Sequence, residues 1–288
     1  MFFFVDGLGL APASRTNPVN EEVCPTLCRL IAAHGTPIDA CLGVPGLPQS
    51  ATGQATMLTG INASRIMGRH VEGFPGPSLR RLVERDNLFL GLKHRGKHSR
   101  FADAYLADSI DEIRARRFRS VTTTISLSCP EVIALRAELF SNQAICHDIT
   151  RESLMSKGYD GPLVTPQAAG EHLVQIALAY DFTLFEFFQT DRVGHAGNYE
   201  DAAAVLRRVD AFLEVVCRQI ESLGVLFILT SDHGNIEAID SHGHTTNPVP
   251  LIAKGPGADI LLGSVSSLVD VTPRLLRVLV PETANGEL

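Results

Sequence analysis

Acidic side chains and histidines recur in this sequence directly after short apolar runs. The runs FFFV, FTLFEFFQT and VLFILTS are followed, in turn, by Asp6, by Asp191 and His195, and by Asp232 and His233. A single aspartate in such a place is commonly a helix cap or a turn residue. Together, however, the residues supply many oxygen and nitrogen donors and no cysteine, a set that suits Zn²⁺ or Mn²⁺.

The stretch TDRVGHAGN, residues 190–198, shows the ambiguity of each motif taken alone. Asp191 and His195 are four residues apart and could form an ion pair on a helix or bind one metal ion together. The glycines of the stretch would let the backbone turn tightly enough for both side chains to reach one ion. His242 and His244, in SHGHTTNPVP, add two further imidazoles ahead of another apolar run.

Two metal ions would have a clear chemical use in phosphoryl transfer. A pair of ions about 4 Å apart stabilises both the entering and the leaving oxygen of an in-line displacement at phosphorus. The ions would also supply positive charge for a phosphate, which a chain of net charge −7 otherwise lacks. A two-metal centre therefore predicts a phosphate ester as the substrate.

A nucleophile for such a reaction is offered by GLPQSATGQATMLTG, residues 46–60. The segment passes from a turn into a helix-like pattern, so Ser50 or Thr52 would lie near a helix N-terminus, where an anion is favoured. Either residue could be a simple N-cap. Beside metal ligands the nucleophile is the better interpretation, because coordination to a divalent ion lowers the pKa of a hydroxyl.

The elements that must position these residues follow from the hydrophobic pattern. The apolar runs 2–5, 182–188, 225–230 and 249–253 are short and continuous, as in strands covered on both faces, and residues 166–180 and 200–224 have helical spacing. This alternation predicts one α/β domain, residues 1–288, with a mostly parallel sheet and helices on both faces. Ligand sites form beyond the carboxyl ends of such strands, so the acids and histidines should meet there.

Residues 105–165 differ from the rest of the chain. ADSIDEIRARRFRSV is typical of a charged helix, VTTTISLS of a strand, and MSKGYDGPLV of a glycine-punctuated loop. We expect this stretch to form a small lid or insertion over one edge of the sheet. Within it, His147 could reach over the site, or its segment could simply begin a helix.

Composition excludes several classes of function. The net charge of −7 argues against a broad surface for nucleic acid or an anionic membrane. No apolar run reaches the roughly 20 residues of a membrane span, and MFFFV is too short for a signal-peptide core. The six cysteines are scattered, so we expect reduced thiols in a cytoplasmic protein. The expected partner is a small-molecule phosphate ester.

Taken in order, FVDG, QSATG, TDRVGHAGN, SDHGN and HTTNPVP resemble the motifs of the alkaline phosphatase superfamily. The resemblance is greatest to the branch of cofactor-independent phosphoglycerate mutase and phosphopentomutase. It implies two divalent ions, Mn or Zn, one held by Asp191, His195 and His244 and the other by Asp6, Asp232 and His233, with the nucleophile Ser50 bound beside them. His244 matches better than His242 because it directly precedes TTNPVP, and Ser50 better than Thr52 because the mutases place their hydroxyl three residues before a glycine, here Gly53.

The sequence also departs from the mutases. Gln54 stands where they usually have a histidine, and the chain has no room for their large substrate-binding insertion. Gln54, Arg69 and Arg192 are the nearest candidates to hold the substrate. We expect hydrolysis of a phosphate mono- or diester through a phosphoseryl intermediate, because a short lid would shield such an intermediate poorly from water. The alternatives are an intramolecular phosphomutase and a non-catalytic metal-binding protein.

Overall fold

The computed structural model describes residues 1–280, so residues 281–288 of the predicted domain lie outside the described residues. Its centre is a six-stranded sheet. The strands are β1 (Phe2–Val5), β2 (Gly35–Ile38), β3 (Ser99–Phe101), β4 (Phe182–Phe187), β5 (Phe227–Thr230) and β6 (Val249–Lys254). Their order across the sheet is β2-β6-β5-β1-β4-β3. The four predicted strands are therefore present, and the short outer strands β2 and β3 are additional.

The direction of the strands determines which loops meet. β1 pairs in parallel with β4 and β5, and β3 pairs in parallel with β4. β6 runs antiparallel to both β5 and β2, so it alone points the opposite way. The prediction of a mostly parallel sheet is confirmed. Because β6 is reversed, the segment that leads into it lies at the edge where its neighbours end.

Helices cover both faces of the sheet, as predicted. They are α1 (Pro25–His34), α2 (Ser50–Thr59), α3 (Ala63–Met67), α4 (Pro77–Arg85), α5 (Leu88–Lys93), α6 (Ile110–Arg114), α7 (Val121–Ser128), α8 (Arg136–Phe140), α9 (Glu152–Met155), α10 (Pro166–Leu178), α11 (Gln189–Ala196), α12 (Tyr199–Leu223), α13 (Ala258–Leu262) and α14 (Leu268–Leu279), with 3₁₀ turns at Pro130–Val132 and Ile236–Ser241. Within residues 1–280, no helix is both long and apolar enough to cross a bilayer.

Alternating side chains of the central strands divide the core into two layers. Phe2 and Phe4 face the layer built by α2, α4, α7 and α14. Phe3 and Val5 face the opposite layer, which α1, α10 and α12 cover. The ring of Phe3 stacks on that of Phe185 with 5.3 Å between centroids. Strands buried on both faces explain why the sequence shows continuous apolar runs rather than alternation.

The predicted strand VTTTISLS is wrong, because this segment forms α7. The Ser120 side chain accepts a hydrogen bond from the Thr123 amide and caps the helix. Val121 and Ile125 then fall one turn apart on the face that packs into the core. Tertiary packing has overridden the strand preference of the β-branched residues.

The stretch 105–165 divides into two parts. α7 belongs to the main core, whereas Leu139, Cys146 and Leu154 form a small separate cluster. The predicted charged helix is reduced to the short α6. The interpretation of this stretch as a lid stays a prediction. All six cysteines are free thiols.

Candidate metal centre and nucleophile

The predicted metal ligands meet at one edge of the sheet because of the strand order. Asp6 follows β1, which lies between β4 and β5, so its neighbours across the sheet are the segments after those strands, which carry Asp191 at the start of α11 and Asp232. His233 comes with Asp232. His244 arrives from the segment that leads into the reversed strand β6. A parallel sheet with one reversed strand thus brings together residues from four distant parts of the chain.

Asp6, Asp232 and His233 form what we call the buried group. His233 Nε2 lies 3.3 Å from Asp6 Oδ1 and 3.5 Å from Asp232 Oδ2, and the three side chains are at most 8% exposed. These two carboxylate oxygens are buried and have no hydrogen-bond partner among the described residues. Buried polar atoms are rarely left unpaired, and carboxylate oxygens facing an imidazole suit a cation.

Asp191, His195 and His244 form the outer group. His195 Nε2 is 3.1 Å from His244 Nε2 and 3.5 Å from Asp191 Oδ1, and His244 Nε2 is 3.4 Å from the same oxygen. The side chain of His195 is 46% exposed. The His233 ring stacks on the His244 ring at 3.7 Å, and the ligand-type atoms of Asp191, His233 and His244 lie within 4.8 Å of one another. His233 therefore stands between the two groups.

Backbone carbonyls set which nitrogen each imidazole presents. His244 Nδ1 lies 2.7 Å from the Pro48 carbonyl, and His233 Nδ1 lies 3.4 Å from the Gly234 carbonyl. A carbonyl only accepts, so Nδ1 carries a proton in both rings and Nε2 is the nitrogen that faces the site. Burial opposes a second proton on His244, but the hydrogen bond from its Nε2 to Asp191 raises the pKa of His244. Both Nε2 atoms face carboxylates. This tautomer, held from behind by a carbonyl, is the arrangement that metal-ligating histidines need.

The two groups carry their negative charge differently. Burial, followed by the charges of Asp232 and Asp191, raises the pKa of Asp6 well above its usual range, and burial also raises the pKa of Asp232. Burial opposes ionisation of Asp191 too, but hydrogen bonds from His244 and Asn235 outweigh it and lower the pKa of Asp191 to about 2. The donor set of the buried group therefore fits a divalent cation, which would offset its uncompensated carboxylates.

Ser50 is the first residue of α2, and its hydroxyl oxygen lies 2.9 Å from His233 Nε2. The side chain is half-buried at the positive end of the helix. Gly53 lets α2 approach so closely, because a Cβ there would lie 2.7 Å from the Asp232 carbonyl oxygen. Thr52 is fully buried, and its hydroxyl donates to the Gln49 carbonyl and accepts from the Val71 amide.

The predicted substrate-binding residues lie in different surroundings. Gln54 is buried, and its Nε2 donates to Asp6 Oδ2 at 3.1 Å, so it contacts a predicted ligand. Arg69 and Arg192 are both exposed. Arg69 lines a surface cavity together with Gln49, the neighbour of Ser50, and Arg192 is carried by α11 beside Asp191. Their contact with substrate stays a prediction.

Several supporting residues were not predicted from the sequence. Asn235 Nδ2 donates to Asp191 Oδ1 at 2.6 Å, and the Thr190 hydroxyl donates to the Asp6 carbonyl at 2.5 Å. Glu237 accepts from the amides of Gly9 and Asn235 at 2.9 and 2.8 Å. Asn235 stands inside SDHGN, so its place in the motif was a usable signal. Glu237 has no such signal in the sequence, because only the fold brings it close to Gly9.

The glycines of TDRVGHAGN have two different roles. The expected tight turn is not what brings Asp191 and His195 together, because both lie one turn apart in α11. Gly197 follows them and ends the helix with a φ of 69°. Gly194 lies inside the helix, and a Cβ there would be 2.6 Å from Asn235 Oδ1. It is needed for close packing rather than for a turn. His242 is exposed and packs against Gly197, whereas His244 lies in the outer group.

A comparison with protein families is consistent with this geometry. The model of the Metalloenzyme superfamily matches residues 137–282, just over half of the chain. The chain belongs to this superfamily. The matched region holds Asp191, His195, Asp232, His233 and His244, whereas Asp6 and Ser50 precede it.

Curated relatives match part of this superfamily member. A 2,3-bisphosphoglycerate-independent phosphoglycerate mutase from Cereibacter sphaeroides is 33% identical over 135 residues, which are 43% of this chain and 27% of the relative. An enzyme of the same name from Synechococcus sp. is 36% identical over 114 residues, or 35% of this chain and 22% of the relative. The aligned part thus spans about a quarter of the length of these relatives.

Solved structures extend the likeness to the whole fold. A cold-active alkaline phosphatase from Shewanella sp. superposes with a TM-score of 0.59 at 13% identity, covering 97% of this chain and 99% of that one. A phosphoglycerate mutase from Leishmania mexicana gives a TM-score of 0.50 at 12% identity, covering 99% and 96%. The fold is alkaline-phosphatase-like, and the resemblance drawn from the motifs is confirmed.

Proposed function

We propose that this protein is a metal-dependent phosphotransfer enzyme that hydrolyses a phosphate ester through a phosphoseryl intermediate. The observation that carries the proposal is the position of Ser50. Its hydroxyl stands at the N-terminus of α2, 2.9 Å from His233 Nε2, next to the point where the two groups meet. The superfamily and the alkaline-phosphatase-like fold support phosphoryl transfer as the class of reaction.

In this proposal each group holds one divalent ion, Mn²⁺ or Zn²⁺. The residues are Asp6, Asp232 and His233 for one ion and Asp191, His195 and His244 for the other, with Ser50 beside both. When bound, the ions would supply Lewis-acid stabilisation of charge on the phosphoryl oxygens and on the oxygens that enter and leave. Gln54 and Asn235 would orient the carboxylates of Asp6 and Asp191 from behind.

The side chains of the protein would carry out the covalent steps. The Ser50 hydroxyl oxygen attacks phosphorus, and its bond to phosphorus forms as the bond to the leaving alcohol breaks. The N-terminus of α2 favours the anionic phosphoryl group held there. Water then attacks the phosphoserine, releasing inorganic phosphate and restoring the hydroxyl. The exposed Arg69 and Arg192 would draw the phosphate ester toward the centre.

The openness of the outer group favours hydrolysis over a mutase reaction. His195 is nearly half exposed, so water can reach this side of the centre. A mutase must keep water away while its substrate reorients. The names of the curated relatives favour the second candidate, an intramolecular phosphomutase, but their aligned part is about a quarter of their length.

The first test is turnover. The protein is loaded with Mn²⁺ or Zn²⁺ and assayed on p-nitrophenyl phosphate and bis(p-nitrophenyl) phosphate, alongside Ser50→Ala. We expect Ser50→Ala to lower kcat by roughly 10³-fold or more, since it removes the nucleophile. Ser78→Ala is a matched control, because Ser78 is an exposed serine in the first turn of α4. An unimpaired Ser50→Ala would refute Ser50 as nucleophile.

Two further measurements separate the alternatives. Acid quenching followed by mass spectrometry should find phosphate on the peptide that contains Ser50. Labelled 3-phosphoglycerate distinguishes the reactions, because a hydrolase releases inorganic phosphate whereas a mutase forms 2-phosphoglycerate. Stoichiometric binding of two ions without turnover of any substrate would support the non-catalytic alternative.

A further inference from the structure

A cavity of about 490 Å³ lies beside the candidate metal centre, between the ends of β3 and β4 and the segment 104–157. Glu186 and Phe188 line it, and Asp191 of the outer group follows three residues after Phe188. Glu186 pairs in register with Phe4, two residues before Asp6. Glu186 and Asp6 are therefore diagonal neighbours on the same face of the sheet. No predicted metal ligand lines the cavity, but Glu186 places its floor next to the strand end that carries Asp6.

Two buried carboxyl groups form the floor of this cavity. Glu186 is 8% exposed and Asp103 is 7% exposed. Glu186 Oε2 accepts from the Thr122 hydroxyl at 2.6 Å, and Asp103 Oδ2 accepts from the Glu186 amide at 2.8 Å. The second oxygens, Glu186 Oε1 and Asp103 Oδ1, accept no hydrogen bond from another residue among the first 280. These two oxygens belong to buried side chains that line the cavity, and oxygens that accept no hydrogen bond there favour a ligand that donates one.

The walls of the cavity suit a carbon chain that carries hydroxyl groups. Ser120 and Thr123 contribute hydroxyls, and the Tyr105 hydroxyl donates to that of Thr123 at 3.2 Å. Apolar side chains complete the walls, namely Phe101, Leu106, Leu139, Leu154 and Phe188. A volume of this order accommodates a ligand larger than a three-carbon acid.

The mouth of the cavity is positively charged. Arg116 and Lys157 line it and are exposed, and neither forms an ion pair with another described residue. The Arg116 guanidinium lies 5.6 Å from the centre of the Tyr105 ring, which is part of the wall. His147 adds a buried Nδ1 without a hydrogen-bond partner in the described chain, and its ring stacks on Phe188 at 4.9 Å. Two cations at the mouth, unpaired within residues 1–280 and set apart from the carboxyl groups of the floor, favour an anion at this end of the cavity.

We propose that this cavity binds the alcohol part of the phosphate ester, and that the substrate is a phosphorylated sugar-sized polyol with a second anionic group. The hydroxyls bind Glu186 and Asp103, and the second anion binds Arg116 and Lys157. The inference rests on the proposed function, since the centre holds the phosphate that is transferred. The second anion is a carboxylate or another phosphate.

The test compares substrates on the metal-loaded enzyme. 6-Phosphogluconate and fructose 1,6-bisphosphate carry the two kinds of second anion, glucose 6-phosphate has none, and 3-phosphoglycerate is too short to fill the cavity. We expect kcat/KM for one of the first two to exceed that for the last two by at least about 10-fold. Equal values for all four would overturn the proposal.

Variants then connect the preference to the cavity. Glu186→Gln and the double variant Arg116→Ala, Lys157→Ala should lower kcat/KM for the preferred substrate about 10-fold more than for p-nitrophenyl phosphate. The double variant keeps the proposal testable if Glu186→Gln fails to fold, because both of its residues are exposed. Arg114→Ala is the control, since Arg114 pairs with Asp111 on the exposed side of α6. Equal losses on both substrates would refute the assignment.

A binding measurement separates this inference from the proposed function. Calorimetry with the metal-loaded Ser50→Ala variant measures the affinity for 6-phosphogluconate, fructose 1,6-bisphosphate and inorganic phosphate without turnover. Tighter binding of either sugar derivative than of inorganic phosphate, lost when Arg116 and Lys157 are replaced, supports the cavity even if no substrate is turned over. Equal affinity for all three ligands overturns the cavity assignment, whereas failure of p-nitrophenyl phosphate turnover alone counts against the proposed function.

Discussion

The buried and outer groups use similar side chains but deal with charge in opposite ways. In the buried group, Asp6 and Asp232 face one neutral imidazole and hold raised pKa values. In the outer group, Asp191 faces two imidazoles and an amide and holds a lowered pKa. The outer group is thus largely compensated by the protein itself, whereas the two carboxylates of the buried group each keep an oxygen without such a partner among the described residues and would be offset by a cation. We infer that an ion in the buried group contributes to stability and that the outer ion stays exchangeable.

The largest expected effect on turnover comes from removing one predicted ligand from each group. Asp232→Asn should abolish the buried ion and reduce turnover by roughly 10³-fold or more, because Ser50 loses the charge beside it. His195→Gln should weaken the outer ion and reduce turnover by only about 10- to 100-fold, since Asp191 and His244 remain. Metal content after dialysis and kcat with added metal check both results. Equal losses of turnover in the two variants would show that the buried and outer groups do not differ in this way.

A smaller effect is expected from the residues that support the ligands. Gln54→Leu should loosen the buried ion and Asn235→Ala the outer ion, each by about 10- to 100-fold in affinity, because supporting hydrogen bonds orient the carboxylates. Metal titrations of the two variants measure this. If Gln54→Leu weakened only the outer ion, the grouping of ligands would be wrong.

The smallest effect concerns the stability of the metal-free protein. The raised pKa values of Asp6 and Asp232 mean that their contribution to stability falls as pH rises above about 3.8, the value for the unfolded chain. The lowered pKa of Asp191 contributes about 2 kcal/mol, present above about 3.8 and lost as pH falls through about 2. At pH 7, Asp232→Asn should therefore raise the free energy of unfolding, and Asp191→Asn should lower it.

Denaturant unfolding in the presence of a chelator checks the signs of these two changes. The same variants unfolded with saturating Mn²⁺ serve as the control, and there Asp232→Asn should be the more destabilising, because it removes a ligand of the buried ion. A metal-free Asp232→Asn that is less stable than the wild type would show that burial of the charged Asp232 carboxylate does not lower stability.

Much of the fold could be predicted because its central strands are buried on both faces. The short, continuous apolar runs FFFV and FTLFEF are typical of strands in a layered α/β sheet. The acids that follow them then lie at one edge of the sheet. The strand predicted for VTTTISLS is wrong because its β-branched residues favour a strand locally. The helix is stabilised by the packing of Val121 and Ile125 against the core, which the local sequence does not show.

The residues of the candidate site could be named from the sequence, and their assignment to two ions stays a prediction. The motifs named the residues that the structure brings together, yet they assigned His233 to one ion only, whereas it lies between the two groups. The support from Glu237 could not be foreseen, because its contact with Gly9 depends on the whole fold. The reversal of β6, which brings His244 to the site, likewise leaves no mark in the local sequence.

The position of β1 has a consequence for folding. This strand is made early, yet its partners around Leu184 and Ile228 emerge from the ribosome much later. Contacts between residues so far apart in sequence slow folding, and until they form, a phenylalanine-rich segment stays exposed to aggregation and to chaperones. Because Asp6 depends on β1, the candidate metal centre could assemble only after β1 has paired with β4 and β5. Acquisition of metal would then mark the end of folding.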